Sequence, residues 1–271
     1  MSESLVIDFL YKTRFGRFML KGLVNPAVSK LAAGFLSLGA SRCIIPAFIR
    51  QNGIDMEKYI VPEGGYKSFN DFFSRRIKPN RRVIGQGEII CPCDGLLTVS
   101  RIGEDSVFLI KNTAYSIKSL LRNESAEKYY IGGTALIFRL TPAHYHRYVF
   151  CTSGKAWAFH RIDGKLHSVK PVCHENLPVF IENSREYTVI DNTTLGKVVQ
   201  MEVGALLVGK ISNTPFPKGR YIHTGEEKGF FEYGGSSIVV LTKNRIELNE
   251  TLSLRAKLQG EIPVKLGEDI F

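Results

Sequence analysis

From about residue 83 to the C-terminus, the hydrophobic positions form short, β-branched runs that glycine, asparagine or proline interrupts. Such runs are typical of β-strands, and SLLRNESAEKYY is the only clear helical interruption among them. The pattern predicts a mainly antiparallel β domain over residues 83–271, either a barrel or a sandwich. The runs include GLLTVSRI, SVFLI, TALIFRL, RYVFC, YTVI, GKVVQMEVGALLVGKI and SSIVVLTK.

The first 82 residues have a helical pattern instead. Aromatic and aliphatic side chains recur every four residues from Tyr11 to Leu23, along one face of a helix. The opposite face carries the cations Arg14, Arg17 and Lys21. Such a helix either packs its apolar face on a protein core or lies in a lipid headgroup layer.

Two more helices are predicted before residue 82. The stretch AVSKLAAGFLSLGASRCIIPAFI predicts a second helix that runs up to Pro46. In GGYKSFNDFFSRRIKPNRR, Ser68 can cap a short helix, and Asp71 at its third position suits the positive end of the helix dipole. A helical region over 1–82 followed by a β domain makes the fold class α+β.

The net charge of +10 on 271 residues changes this picture by favouring an anionic partner. Nucleic acid, an anionic lipid surface and a phosphorylated substrate all fit that charge. No Lys/Arg block of the kind found in nucleic-acid-binding tails is present, so nucleic acid is not expected. The sequence also shows no signal peptide and no apolar run of membrane-spanning length, so we expect a protein that does not cross the bilayer.

Candidate chemistry begins with two histidines and an aspartate. His144 and His146 in LTPAHYHRYVF would share one face of a strand, as half of a metal site or as hydrogen-bonded structural residues. No third ligand at matching spacing is visible, and no metal site is predicted. Asp94 in CPCDG precedes a glycine, as a turn aspartate commonly does, or it orients a histidine in an Asp-His-Ser relay.

The glycines and serines of GGSS, residues 234–237, raise a second question. The stretch lacks the Gly-x-Ser-x-Gly pattern of a nucleophile elbow, and the residues after Ser236 are β-like rather than helical. It also lacks the lysine of a phosphate-binding loop. A hairpin turn fits the local pattern, and so does a backbone held open for chemistry at Ser236.

Five segments in order resemble the phosphatidylserine decarboxylases. FNDFFSRRIKP is similar to the N-terminal signature of the family, CPCDG to the segment with its aspartate, and YHRY to the segment with its histidine. VGALLVGKI resembles the strands ahead of the active serine, and GGSS occupies the position of the cleavage motif. The glycine-rich motif is closer to the shorter bacterial branch of the family.

The resemblance implies that the chain cleaves itself between Gly235 and Ser236. The Ser236 hydroxyl would attack the Gly235 carbonyl, and β-elimination of the resulting ester followed by hydrolysis would leave a pyruvoyl group. A β chain of residues 1–235 and an α chain of residues 236–271 would stay associated. The pyruvoyl cofactor would then form a Schiff base with phosphatidylserine, release carbon dioxide and yield phosphatidylethanolamine.

The resemblance also assigns roles to side chains. His146 is expected to be the base for self-cleavage, Asp94 its orienting carboxylate, and Ser237 a neighbouring hydroxyl near the oxyanion or the substrate carboxylate. Many family members have a second histidine three residues after the first, and this sequence has Val149 there. His144 is therefore a possible substitute for the base, and His167 is a more distant candidate.

The implied substrate also predicts a binding partner and a cellular location. An enzyme that acts on an anionic phospholipid must meet a bilayer, so we expect a peripheral protein on the cytoplasmic face of the membrane, docked through its N-terminal helices. A homodimer is a further expectation. Two alternatives stay open at this point: a Ser-His-Asp lipid ester hydrolase, and a non-catalytic lipid-binding β module in which GGSS is merely a turn.

Overall fold

A computed structural model describes residues 34–110, 113–157, 159–165, 179–204, 211–233, 236–258 and 261–271. The predicted helix over residues 11–23 lies outside this range. The α-helices are α1 (Ile45–Asn52), α2 (Phe69–Phe73), α3 (Ile117–Leu121), α4 (Val179–Glu182) and α5 (Glu250–Leu258). Short 3-10 helices span Gly39–Ile44, Met56–Lys58 and Glu127–Tyr130.

The strands account for most of the regular structure after residue 94. They are β1 (Tyr59–Ile60), β2 (Arg76–Ile77), β3 (Gly95–Arg101), β4 (Val107–Ile110), β5 (Thr113–Ser116), β6 (Thr134–Leu140), β7 (Arg147–Val149) and β8 (Gly154–Ala156). The chain continues with β9 (His160–Ile162), β10 (Arg185–Asn192), β11 (Gly196–Val203), β12 (Ile211–Asn213), β13 (Arg220–Ile222), β14 (Glu227–Phe231), β15 (Ser236–Thr242) and β16 (Ile262–Val264).

A nine-stranded antiparallel sheet forms the centre of the molecule, in the order β13-β8-β10-β11-β15-β6-β3-β16 with β9 beside β10. Its central strand β15 is buried along its whole length. β15 has apolar side chains on both of its faces because each face packs against a hydrophobic cluster. Val239 and Leu241 face one hydrophobic cluster, with side chains of α3 and α4, whereas Ile238 and Val240 face another.

The second cluster lies between the central sheet and a three-stranded sheet of order β12-β14-β7. Tyr148 of β7 and Phe231 of β14 enter this cluster from the smaller sheet. Two antiparallel sheets that enclose a core form a sandwich-like arrangement, and the described residues form no closed barrel. The predicted α+β class is therefore confirmed, with the sandwich rather than the barrel.

Helix α2 forms as its sequence predicts. Ser68 Oγ accepts a hydrogen bond from the Asp71 amide at 3.2 Å, and the Asp71 carboxylate accepts one from the Lys67 amide at 2.8 Å. These reciprocal bonds satisfy amides that a helix start leaves unpaired. Three buried phenylalanines of α2 pack with Phe48 of α1 in an aromatic cluster.

Two helical predictions are wrong. The helix predicted to end at Pro46 does not end there, since Pro46 lies in the first turn of α1. A proline is tolerated at this point because the first turn has no intrahelical acceptor for its missing N–H. SLLRNESAEKYY is also not the only helical interruption of the β region, because α4 and α5 interrupt it as well.

Candidate functional site

Three sequence-distant segments meet at one edge of the central sheet. Asp94 immediately precedes β3, His144 and His146 follow β6, and Ser236 begins β15. In the register of these antiparallel strands, Ser236 pairs with Leu140 at the end of β6, and Leu96 near the start of β3 pairs with Arg139. The order of strands thus places the predicted site residues at the same edge of the central sheet.

Gly95 begins a strand rather than completing a turn. A Cβ at this position would lie 3.1 Å from the Arg139 carbonyl oxygen, closer than ordinary contacts allow. The glycine after Asp94 therefore permits close approach of β3 to β6. The Asp-Gly pair marks a strand start at the site edge, which differs from its usual role in a tight turn.

Ser236 and Ser237 are both fully buried and point to opposite faces of β15. By strand alternation, Ser236 shares the face of Ile238, which packs toward the three-stranded sheet, and Ser237 shares the face of Val239. Neither hydroxyl has a hydrogen-bond partner among the described residues. Buried hydroxyls are normally paired, so an unpaired one at Ser236 is a candidate for chemistry.

The GGSS stretch does not join two paired strands. β14, which precedes it, pairs with β12 and β7, whereas β15 pairs with β11 and β6 in the other sheet. A hairpin turn would require β14 and β15 to be neighbours. The hairpin interpretation is therefore wrong, and the stretch crosses from one sheet to the other. Gly234 and Gly235 themselves lie outside the described residues, as does His167.

His146 is a buried, neutral histidine with one free nitrogen. Its Nδ1–H donates to the His144 carbonyl oxygen at 2.9 Å, because a carbonyl can only accept. Burial lowers the pKa of His146 well below its usual value, and the charges of Arg75 and His144 lower it further. Nε2 has no partner in the described part of the chain and is left as an acceptor. This is the tautomer that a general base needs.

His144 has the opposite tautomer. The Thr141 amide donates to its Nδ1 at 3.0 Å, so in the neutral ring the proton is on Nε2. Burial lowers the pKa of His144, and the negative charge of Asp94 opposes that shift. His144 therefore presents a proton donor, whereas His146 presents an acceptor.

Asp94 is held by two partners that the sequence did not indicate. One oxygen forms an ion pair with Arg82, and the other accepts a hydrogen bond from the Leu266 amide at 2.9 Å. The predicted hydrogen bond, in which the His146 ring would donate to the Asp94 carboxylate, is not formed. The reason is local: the carbonyl of His144, two residues before His146, already orients that ring. The catalytic roles of these residues stay predictions.

Replacing Asp94 with asparagine tests its ion pair. The asparagine can still accept from the Leu266 amide, but it leaves the Arg82 side chain, which is 21% exposed, without its charge partner. In a Ser236→Ala background that keeps the chain intact, we expect urea unfolding to show a loss of about 1–3 kcal/mol. Asp163→Asn, in a pair whose side chains are 69% and 85% exposed, should change stability by less than about 0.5 kcal/mol. Equal losses in both variants would contradict the prediction.

The segment ahead of Ser236 lies against α2 and His146. The Phe231 amide donates to the His146 carbonyl at 2.9 Å, and the Tyr233 amide donates to Asn70 Oδ1 at 3.3 Å. The Tyr233 ring is 5.1 Å from that of Phe73, which in turn lies 4.0 Å from the His146 ring. These contacts bring the chain to the edge of the site two residues before Gly235.

A cleft of about 960 Å³ opens at the Asp94 and His144 side of the candidate site. Asp94, His144 and Tyr59 all line it. Its cationic side chains outnumber its acidic ones, so it suits an anionic ligand. The cations are Lys58, Arg81, Arg82, Arg255 and Lys265, and the acids are Asp55, Asp94 and Glu268.

Sequence reasoning missed several residues at the site. Phe73, against His146, and Arg82, paired with Asp94, both belong to the FNDFFSRRIKPNRR stretch. The sequence of this stretch predicts a capped helix and resembles the family signature, but it indicates no contact with the site, and its three clustered phenylalanines were the signal for a packing role. Val149 occupies the position of the second histidine in many family members, and it is the buried last residue of β7.

Comparisons with known proteins identify the family of this chain. The phosphatidylserine decarboxylase family profile matches residues 69–271. The chain is 40% identical over 268 residues to phosphatidylserine decarboxylase proenzyme 2 of Clostridium acetobutylicum, covering 97% of this chain and 90% of that protein. It is 41% identical over 273 residues to a phosphatidylserine decarboxylase proenzyme of Chlamydia muridarum, covering 98% and 90%. This chain belongs to the phosphatidylserine decarboxylase family, and the resemblance seen in the sequence is confirmed.

The helices of the described residues also bear on the membrane question. None of them is long and apolar enough to cross a bilayer.

Proposed function

We propose that this protein decarboxylates phosphatidylserine to phosphatidylethanolamine and carbon dioxide, after it has cleaved its own chain between Gly235 and Ser236. The observation that carries the proposal is the fully buried Ser236, whose Oγ has no partner among the described residues. It begins the central strand at the edge where His146 offers a free Nε2. The names of the relatives as proenzymes support a processed precursor.

Self-cleavage would begin with a proton transfer. His146 Nε2 takes the hydroxyl proton of Ser236 as Oγ attacks the Gly235 carbonyl carbon. The C–N bond breaks, the Ser236 nitrogen gains a proton, and an ester joins the two fragments. Loss of the Ser236 α-proton then expels the Gly235 carboxylate and leaves dehydroalanine. Water replaces its nitrogen, which departs as ammonia, and a pyruvoyl group remains at the start of residues 236–271.

The surroundings of Ser236 fit a pyruvoyl group. The hydroxyl that is lost has no hydrogen bond to lose, and the neighbouring Ile238 and Leu140 provide an apolar setting. When formed, the group supplies a carbonyl that condenses with the substrate amine and accepts the electron pair that carbon dioxide leaves behind. His144 can deliver a proton from Nε2 on the cleft side, and the apolar setting disfavours a charged carboxylate.

The hydrolase alternative is less well supported. A Ser-His-Asp relay needs the aspartate to hold the histidine, and Asp94 is bonded to Arg82 and Leu266 instead. Ser236 is also fully buried and is followed by a strand, whereas such hydrolases present an exposed serine that is followed by a helix.

An intact mass spectrum of the purified protein tests the proposal. We expect two fragments, residues 1–235 and 236–271, with the smaller one blocked at its N-terminus by a carbonyl group. Cyanoborohydride in the presence of phosphatidylserine should inactivate the enzyme and stop carbon dioxide release. A single intact chain with hydrolytic activity, labelled at Ser236 by a fluorophosphonate, would instead support the hydrolase.

We also propose a peripheral location on the cytoplasmic face of the membrane, with an anionic lipid surface as partner. The surplus of cations in the cleft supports it, as do the exposed apolar side chains of Val83, Leu254 and Leu258. The residues 11–23 that first suggested docking lie outside the described range. A homodimer stays a prediction.

A further inference from the structure

Arg75 is an almost fully buried arginine whose guanidinium has no hydrogen-bond acceptor among the described residues. It follows α2, is 2% exposed, and none of its three guanidinium nitrogens has a hydrogen-bond partner in the described residues. Its guanidinium lies 4.3 Å from the centre of the Tyr59 ring and 5.0 Å from that of Phe72. Aromatic faces stabilise a cation, but they do not satisfy its N–H donors.

A second buried arginine, Arg185, shows how this fold satisfies a guanidinium that has a structural role. Arg185 is 1% exposed, and its nitrogens donate to the carbonyl oxygens of Leu120, Ile181, Asn183 and Ser119 at 2.6–3.0 Å. A buried charge without such partners is strongly destabilising. The contrast indicates that the donors of Arg75 are available for an acceptor that the described residues do not provide.

Arg75 lies close to both the candidate site and the cleft. On one side its guanidinium is over the ring of Phe72, and the next residue, Phe73, has its ring 4.0 Å from that of His146. On its other side, the Tyr59 ring that covers the guanidinium also lines the cleft.

We propose that Arg75 binds the phosphodiester of the substrate headgroup. The inference rests on the proposed function and names a binding residue for it. Arginine donates two parallel hydrogen bonds to phosphate oxygens, a geometry that suits a planar guanidinium held between two rings. In phosphatidylserine only a short linkage separates the phosphate from the reacting carbon, so a phosphate at Arg75 directs the serine moiety toward His146.

The phosphodiester is the better acceptor than the substrate carboxylate. Its charge is unchanged throughout decarboxylation, so Arg75 would bind substrate and transition state equally well. A guanidinium on the carboxylate would instead stabilise a negative charge that this group loses in the reaction, because carbon dioxide leaves neutral and the electron pair stays on the substrate. The phosphodiester assignment therefore predicts an effect on KM with little effect on kcat.

The test uses the processed enzyme and the variant Arg75→Met, with Arg245→Met as a matched control on an exposed pair with Glu247. With short-chain phosphatidylserine, we expect Arg75→Met to raise KM about 10- to 100-fold and to change kcat less than threefold. Glycerophosphoethanolamine, which has the phosphodiester but no carboxylate, should raise the melting temperature of the wild type and of Arg245→Met, but not of Arg75→Met. Arg75→Lys, which keeps the charge, should lie between them.

Several outcomes would overturn the assignment. If Arg75→Met keeps the KM of the wild type and shows the same thermal shift with glycerophosphoethanolamine, Arg75 has only a structural role. A fall in kcat at unchanged KM would point to the reacting carboxylate, and an equal shift with inorganic phosphate would point to a free phosphate site. If Arg75→Met does not fold, Arg75→Lys supplies the same comparison. A wild type that releases no carbon dioxide would refute the proposed function, while the thermal shifts would still decide whether Arg75 binds a phosphodiester.

Discussion

Ser236→Ala is expected to abolish self-cleavage, so that the chain remains a single species of 271 residues without decarboxylase activity. Alanine lacks the Oγ that would attack the Gly235 carbonyl, and no other atom at this position can form the ester. The hydroxyl has no hydrogen bond in the described residues, so its removal should leave folding intact. Intact mass spectrometry gives the cleavage state, and carbon dioxide release from labelled phosphatidylserine gives the activity.

Ser237→Ala is the matched control because it removes a hydroxyl of equal burial from the next residue. Ser237 faces the opposite side of β15, toward the cluster of Val239, so we expect its alanine variant to be cleaved. Cleavage of the Ser236 variant, or an intact chain in the Ser237 variant alone, would show that the bond and the nucleophile are misassigned.

The elements that local sequence determines were predicted well. Helix α2 has its cap at Ser68 and its acidic residue at Asp71, and both act within the helix itself. The run SSIVVLTK was recognised as a strand, and its lack of alternation is explained by cover on both faces. The short helix α5 was missed because its exposed Leu254 and Leu258 break any clear apolar stripe.

What the sequence left open depends on contacts between distant residues. Three residues of the site were placed by resemblance, but the partners of Asp94 are an arginine 12 residues earlier and an amide 172 residues later. The orientation of His146 by a carbonyl depends on the backbone conformation after β6. GGSS could be recognised as a link between sheets only once β14 and β15 were known to pair with different strands.

His146→Gln is expected to slow self-cleavage about 10²- to 10⁴-fold, the usual contribution of a general base. Glutamine is similar in length and polarity, but it cannot take the Ser236 proton near neutral pH. His144→Gln is the control for the loss of a histidine at this edge. The ring of His144 accepts from the Thr141 amide and has its proton on Nε2, so we expect that it does not act as the base and that its variant is still cleaved. The rates can be followed on gels with precursor from cell-free synthesis.

The pH dependence gives the same prediction a second, independent measurement. The pKa of His146 lies below its ordinary value of 6.5 in the folded chain, so the ring stays neutral as the pH falls past 6.5. The cleavage rate should therefore be constant from pH 8 through 6.5 and fall only at lower pH. Below pH 6.5 the unfolded chain binds a proton at His146 that the folded chain does not, so stability is lost as pH falls toward the folded pKa.

In a Ser236→Ala background, adding His146→Gln should remove this part of the acid sensitivity. The unfolding free energies at pH 8 and pH 5 should then differ less than in Ser236→Ala alone. A cleavage rate that halves at the pKa of an ordinary histidine would contradict a buried neutral base. An unchanged difference between the two pH values would show that the His146 ring is not held neutral by burial, and the assignment of its free Nε2 as the acceptor would fail with it.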